Sequence, residues 1–278
     1  MKSYSWKMLL FLPLFLMACQ NEKAESNEES DNTNIAPDKV ISTFIFEIEP
    51  KKALTKEAIQ KKILSKKYFP STDKSSCACD ADNCFEQQIL MTHYFSENDK
   101  NQALVIIGNS CKDAAHVQSG WCDAALLQLS GQDWVMTDFW SKVGGGGSFG
   151  DVGVIGNAFQ IGRNNIGIEV AGAFTGQGAT FETTSIIGYL GGEVKEIARI
   201  PTYFDNFGAV LEEKNKQCFC QSYAFRPMNE ADIFTLLLVK KDCTNSGDEM
   251  GCSGEAMNEA SVDYDGNSYP IPEQQKLF

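Results

Sequence analysis

Residues Ile166–Ile200 read IGIEVAGAFTGQGATFETTSIIGYLGGEVKEIARI. Ile166–Phe174, Phe181–Leu190 and Val194–Ile200 are dense in Ile, Val, Thr and aromatic side chains, which suit a pleated surface. Glycine-rich pieces part them. Ala171–Gly178 (AGAFTGQG) and Gly191-Gly192 read as tight turns, so strand follows strand without room for a helix. The same rhythm extends in both directions. Ile89–Phe95, Ala103–Ile107, Asp123–Leu129, Trp134–Phe139 and Val152–Gln160 precede the stretch, and Cys218–Phe225 and Ile233–Lys240 follow it. Ser130–Asp133 and Arg163–Asn165 look like hairpin turns, and Val262–Tyr269 reads as a final hairpin around Asp-Gly-Asn. Val40–Glu49 (VISTFIFEIE) has strand composition. The expected fold is mainly β, an antiparallel meander forming a sandwich, a barrel or part of a propeller. Leu54–Tyr68 reads as the one N-terminal α-helix, with Thr55 as its cap and Glu57 in the first turn. Leu54, Ala58, Leu64 and Tyr68 lie on one side of it and Ile59 and Ile63 on the other, so its apolar face is imperfect.

The N-terminus has a different character. Met1–Lys7 carries Lys2 and Lys7, Met8–Ala18 (MLLFLPLFLMA) is an uncharged apolar run, and Leu16-Met17-Ala18-Cys19 follows. A charged start, a short apolar core and a small residue before the cut make a secretory signal. The core falls short of the ~20 apolar residues that a spanning helix needs. Leu16-Met17-Ala18-Cys19 resembles the lipobox of bacterial lipoproteins. That resemblance implies cleavage before Cys19, a diacylglycerol on its sulfur and acylation of the new amine. Gln20, where an aspartate would favour inner-membrane retention in that class, implies sorting to the outer membrane. Residues 1–18 are then the signal and 19–39 a lipidated tether. Residues 20–39 carry six acids, two lysines and almost no large apolar side chains, a composition that cannot offset its own ordering entropy. Such a tether reaches on the order of 25 Å. Residues 40–278 form a single exported β-rich domain, long enough to hold a sizeable core.

Without the signal the chain keeps 22 basic and 37 acidic residues, a net charge of −15. That excludes nucleic acid and anionic lipid as direct partners, because both need a basic surface. It suits a cationic envelope protein, while membrane contact would run through lipid on Cys19. Nine cysteines follow Cys19. Export places them in an oxidising space, where disulfides are the default. Cys111 with Cys122, and Cys243 with Cys252, bracket short polar stretches and are expected to pair locally. Cys77, Cys79 and Cys84 could supply one link to Cys218 or Cys220, and the odd cysteine is expected to be a buried spare.

Recognisable catalytic parts are few. Only His93 and His116 are histidines. His93 sits in the apolar run ILMTHYF and reads as structural, and His116 lies in the polar Cys111–Cys122 connection and reads as exposed. There is no G-x-S-x-G elbow and no H-E-x-x-H. Gly144–Gly150 (GGGGSFG) lacks the Lys-Ser/Thr of a phosphate cradle and reads as a mobile loop. Asp80–Asn83 and Asp263–Asn267 alternate oxygen ligands as calcium loops do but lack the closing glutamate. No cofactor or metal site is implied. Phe149, Tyr203, Phe204 and Phe207, with Asp205 among them, fall in Gly/Pro/Asn-rich connections, where exposed aromatics anchor partners. A protein-binding module follows as the expected function, with inhibition or immunity against a basic hydrolase as one form of it. An envelope hydrolase and an assembly accessory are the alternatives.

Overall fold

The computed structural model describes residues 54–55, 57–59, 85–112, 114–212, 215–227, 232–246, 249–251 and 255–276. Two antiparallel sheets account for most of them. The first has the order β1-β2-β3-β4, from β1 (Phe85–Glu97), β2 (Lys100–Cys111), β3 (Trp121–Ser130) and β4 (Asp133–Gly144). The second has the order β13-β10-β9-β8-β7-β6-β5. Its strands are β5 (Val154–Gly162), β6 (Asn165–Gly176), β7 (Ala179–Leu190), β8 (Glu193–Asp205), β9 (Cys218–Arg226), β10 (Thr235–Asp242) and β13 (Ala256–Val262). A separate ribbon pairs β11 (Thr244–Ser246) with β12 (Glu249–Gly251). The meander expected from Ile166–Ile200 is present as β6, β7 and β8 in succession. The turn between β6 and β7 is shorter than the glycine count suggested. It is only Gln177-Gly178, both with positive φ (53° and 80°), the backbone that tight hairpins need.

The sheets pack face to face. Leu104, Ile106, Cys122, Ala124 and Leu126 of the first sheet meet Ile168, Val170, Ile187 and Tyr189 of the second in one buried cluster. The Tyr189 hydroxyl donates to Glu97 Oε2 at 2.6 Å, tying β7 to the end of β1. The second sheet then rolls around a core of its own, built from Ile161, Ile186, Ile197, Ile200, Phe225, Leu236, Leu238 and Tyr269. Its edge strand β5 turns back to the stretch before β10. Gly162 bridges Ile233, and the Phe234 amide donates to the Ile161 carbonyl at 2.8 Å. That contact is confined to one end, so the barrel does not close.

Strand β2 is buried from Gln102 to Asn109. One face joins the inter-sheet core, and Ala103, Val105 and Ile107 join a third cluster with Ala125, Leu127 and Trp134. Ile59 completes that cluster from outside the sheet. Residues 57–59 are helical, and Thr55 caps them as expected: the Ala58 amide donates to Thr55 Oγ1 at 3.2 Å and the Ile59 amide to the Thr55 carbonyl at 3.0 Å. Ile59 is buried in that cluster and Leu54, from the other side of the sequence pattern, packs partly against it. The remainder of the expected helix, the Val40–Glu49 strand, and the signal and tether lie outside the described residues.

The final hairpin is corrected. The turn exists: the Asn267 and Ser268 amides both donate to Asp265 Oδ1 at 2.8 Å. Among the described residues no return strand follows it, because Tyr269 dives into the second core, its amide on the Ile197 carbonyl and its hydroxyl on the Phe234 carbonyl.

Both local disulfide pairings are corrected as well. Cys243 bonds Cys218, with Cα atoms 5.3 Å apart. The reason is register: Asp242 faces Phe219, so Cys243 comes next to Cys218 at the open end of the β9–β10 hairpin. Cys111 and Cys220 are also disulfide-bonded, whereas Cys122 carries a buried free thiol. Strand pairing sets Cys122 opposite Gly108 and Gly144, pointing into the inter-sheet core. The fates of Cys77, Cys79, Cys84 and Cys252 lie outside the described residues.

Replacing Cys218 and Cys243 together by alanine should lower stability by about 3 kcal/mol, the loop-entropy scale for a separation of 25 residues. Denaturant titration of the double variant against the oxidised parent measures it. Burial, then the neighbouring Asp123 charge, pushes the Cys122 thiol up to about 12. Alkylation of the Cys122 peptide by iodoacetamide at pH 8, followed by mass spectrometry, should therefore be at least about a hundredfold slower in the folded protein than in denaturant.

Candidate functional site

A row of aromatic rings crosses the second sheet. Phe174 faces Phe181 in the β6–β7 register, Phe181 faces Phe204 across β7–β8, and Phe204 faces Phe219 across β8–β9. Ring centroids follow at 6.3, 5.2 and 6.4 Å. Directly opposed aromatic pairs are among the stronger cross-strand contacts, at roughly 0.2–1 kcal/mol each. At the β9 end Lys240 Nζ stands 4.8 Å from the Phe219 centroid. At the β6 end His116 lies 4.8 Å from Phe174 and stacks on Phe149 at 4.2 Å. The row thus runs from a strand-borne lysine to a loop-borne phenylalanine.

The loops that end it are tightly held. Gly146 and Gly147 amides both donate to the Val152 carbonyl, Gly150 to Gln118, Gly120 to Asp151 and Cys111 to Gly150. The segment read as a mobile loop is thus hydrogen-bonded at several backbone positions. It also explains why the run is no phosphate cradle, since the amides of Gly146, Gly147 and Gly150 already serve backbone carbonyls. Glycine is required at closest approach: a Cβ on Gly150 would sit 2.1 Å from the Cys111 carbonyl oxygen, and one on Gly172 1.6 Å from that of Gly146.

Phe149 stands out in this loop. Its φ is +53°, a left-handed conformation that costs a bulky residue about 1–2 kcal/mol. Even so, 62% of it is exposed. Val117, in the loop whose His116 carbonyl accepts the Phe149 amide, is 75% exposed. Two large apolar side chains are therefore exposed on loops whose backbones are hydrogen-bonded to each other.

The other expected anchors separate. Tyr203, Phe204 and Asp205 lie within β8, not in a connection. Phe204 joins the aromatic row. Asp205 is buried and accepts the Phe207 amide at 3.1 Å, so it shapes the turn after β8. Tyr203 places its hydroxyl 3.6 Å from Cys218 Sγ, and burial followed by Asp205 raises its pKa to about 12. Phe207 is half-buried in the turn. Sequence reading missed Phe174, Phe181 and Phe219, because one-dimensional spacing does not reveal register. It also placed His116 in solvent, where two rings flank it.

His93 is buried in β1, 6.2 Å from the Phe95 ring, and borders a shallow cleft with Glu97, Phe159 and Arg163. Asp265 serves its own turn and Asp263 accepts the Thr235 hydroxyl at 2.8 Å, which supports the turn reading over a calcium loop. Among the described residues no cluster of His, Cys, Asp or Glu is placed to hold a metal, and no helix is long and apolar enough to cross a membrane.

Fold and site together define a disulfide-stapled, antiparallel β protein that presents an aromatic row ending on pinned loops. Comparison of the chain with protein families, with curated proteins and with solved structures finds no match.

Proposed function

We propose that this chain is an envelope lipoprotein, anchored to the outer membrane through lipid on Cys19 and facing the periplasm, whose β domain docks another envelope protein. One observation carries the docking reading: the exposed Phe149 ring, stacked at the end of the aromatic row on a strained backbone. Strain held by surrounding structure is concentrated where a side chain must be presented, and exposed aromatic anchors dominate protein interfaces. The lipobox-like Leu16-Met17-Ala18-Cys19 supports the anchoring, since multiple acyl chains give stable attachment.

A photo-crosslinking phenylalanine analogue at position 149 tests the docking in intact cells. A discrete adduct is expected there and not at Val135, which is 51% exposed on β4 of the other sheet. No adduct at 149, or equal yields at both positions, defeats the reading. Cys19→Ser should move the protein from the membrane fraction to the soluble fraction, and mass spectrometry of the parent should find acylated Cys19 as its first residue.

A further inference from the structure

We infer that the open face of the Phe149 ring is a seat for a guanidinium group on a basic segment of the docked partner, an inference that rests on the docking reading above. A ring at the end of a stack has one face occupied and one face outward. The His116 ring, 4.2 Å away, occupies the inner face. A phenylalanine face carries the negative part of its quadrupole and attracts cations within about 6 Å.

The opposite end of the row already shows the arrangement, with Lys240 Nζ 4.8 Å from the Phe219 centroid. The row ends on a cation at β9 and on solvent at Phe149. Val117, 75% exposed, follows the His116 whose carbonyl accepts the Phe149 amide, so the adjoining loop adds exposed apolar surface of the kind that the aliphatic stem of an arginine covers. Asp151 lies two residues along the Phe149 loop, its carboxylate held by the Gly153 amide at 3.1 Å and otherwise in solvent.

Charge favours the same partner. The chain carries 37 acidic against 24 basic residues, so a basic segment is steered toward it. Lys112, on the connection that also carries Val117, leaves the local charge mixed. Discrimination at the seat therefore falls to the ring and not to net charge. Arginine fits better than lysine because its planar, weakly hydrated guanidinium stacks on aromatic faces.

Titration of the full chain with fluorescent nona-arginine and nona-lysine at two salt concentrations tests this, using the parent, Phe149→Leu and Phe149→Trp. Leucine keeps the apolar bulk and removes the quadrupole. The expected result is tighter binding of nona-arginine than nona-lysine, an affinity two- to fivefold lower for Phe149→Leu, and undiminished or tighter binding for Phe149→Trp. Circular dichroism melts establish that each variant is folded. Equal affinities for the parent and a folded Phe149→Leu overturn the inference, whatever the salt dependence, because the polycation then reads only the acidic surface. The titration reads ring chemistry and the cross-link reads contact with the native partner. A cross-link at 149 with no leucine effect thus sinks the cation seat alone, and absence of the cross-link sinks the docking reading.

Discussion

Gly172→Ala should cost about 3 kcal/mol or more, although it adds one methyl group to a strand. The new Cβ would lie 1.6 Å from the Gly146 carbonyl oxygen and 2.0 Å from its carbonyl carbon. Both are backbone atoms, so no side chain can swing aside. The glycine loop has little freedom to retreat either, because Gly146 and Gly147 are bonded to Val152. Overpacking typically costs 1–3 kcal/mol even where neighbours can shift. Relief requires β6 to part from the loop that presents Phe149. Urea titration should show a lowered midpoint, and the variant should also lose the cross-link at position 149. Unchanged stability would mean that the loop and β6 are not in contact.

Asp123→Ala should destabilise the fold by about 3–5 kcal/mol, the range for breaking a buried charged network. Asp123 is buried in β3 and accepts Asn109 Nδ2 at 2.9 Å, Ser141 Oγ at 3.0 Å and the Lys142 amide at 2.8 Å, with the Trp121 side chain as a further donor. Asn109 in turn accepts Gln87 Nε2 at 2.6 Å. The carboxylate thus holds a bulge in β4, where pairing jumps from Cys122–Gly144 to Ala124–Trp140 and Lys142 takes a φ of +56°. Burial raises its pKa above the ordinary 3.8, against the lowering effect of these hydrogen bonds. A carboxyl raised in the folded state contributes stability that is fully present below its unfolded pKa and is lost as pH rises through the folded value. The stability gap between the parent and Asp123→Asn should therefore narrow as pH climbs from about 3.8 through that raised pKa. Denaturation curves across that window measure it, and a widening gap contradicts the assignment.

Much of the sheet was legible because its signals are local. Alternating β-branched residues and glycine pairs mark β6, β7 and β8 wherever they pack, and Thr55 caps its turn through neighbours in sequence. β13 was missed because AMNEASV has neither a long apolar run nor strict alternation. It gains its place by pairing with Leu236–Lys241 of β10. Leu54 and Ile59, read as lying on opposite sides of the helix, both pack on the third cluster, which fits the imperfect apolar face of the sequence. The disulfides failed for a related reason: closeness in sequence suggested partners, but strand register brings Cys243 to Cys218 and turns Cys122 inward. In the site, Phe149 and Phe204 were visible as aromatics near glycine loops. Their connection through His116, Phe174 and Phe181 depends on two strand registers and on two ring contacts of a loop histidine, none of which the linear order of residues reveals.

Ile186 and Ile187 are neighbours on β7, yet each belongs to a different buried cluster. One strand is thus a wall common to two interiors. Loosening either interior strips a neighbour from the other, so the domain has no natural seam along which to melt in halves. Partial opening, the state most exposed to proteolysis, is thereby the state this arrangement disfavours.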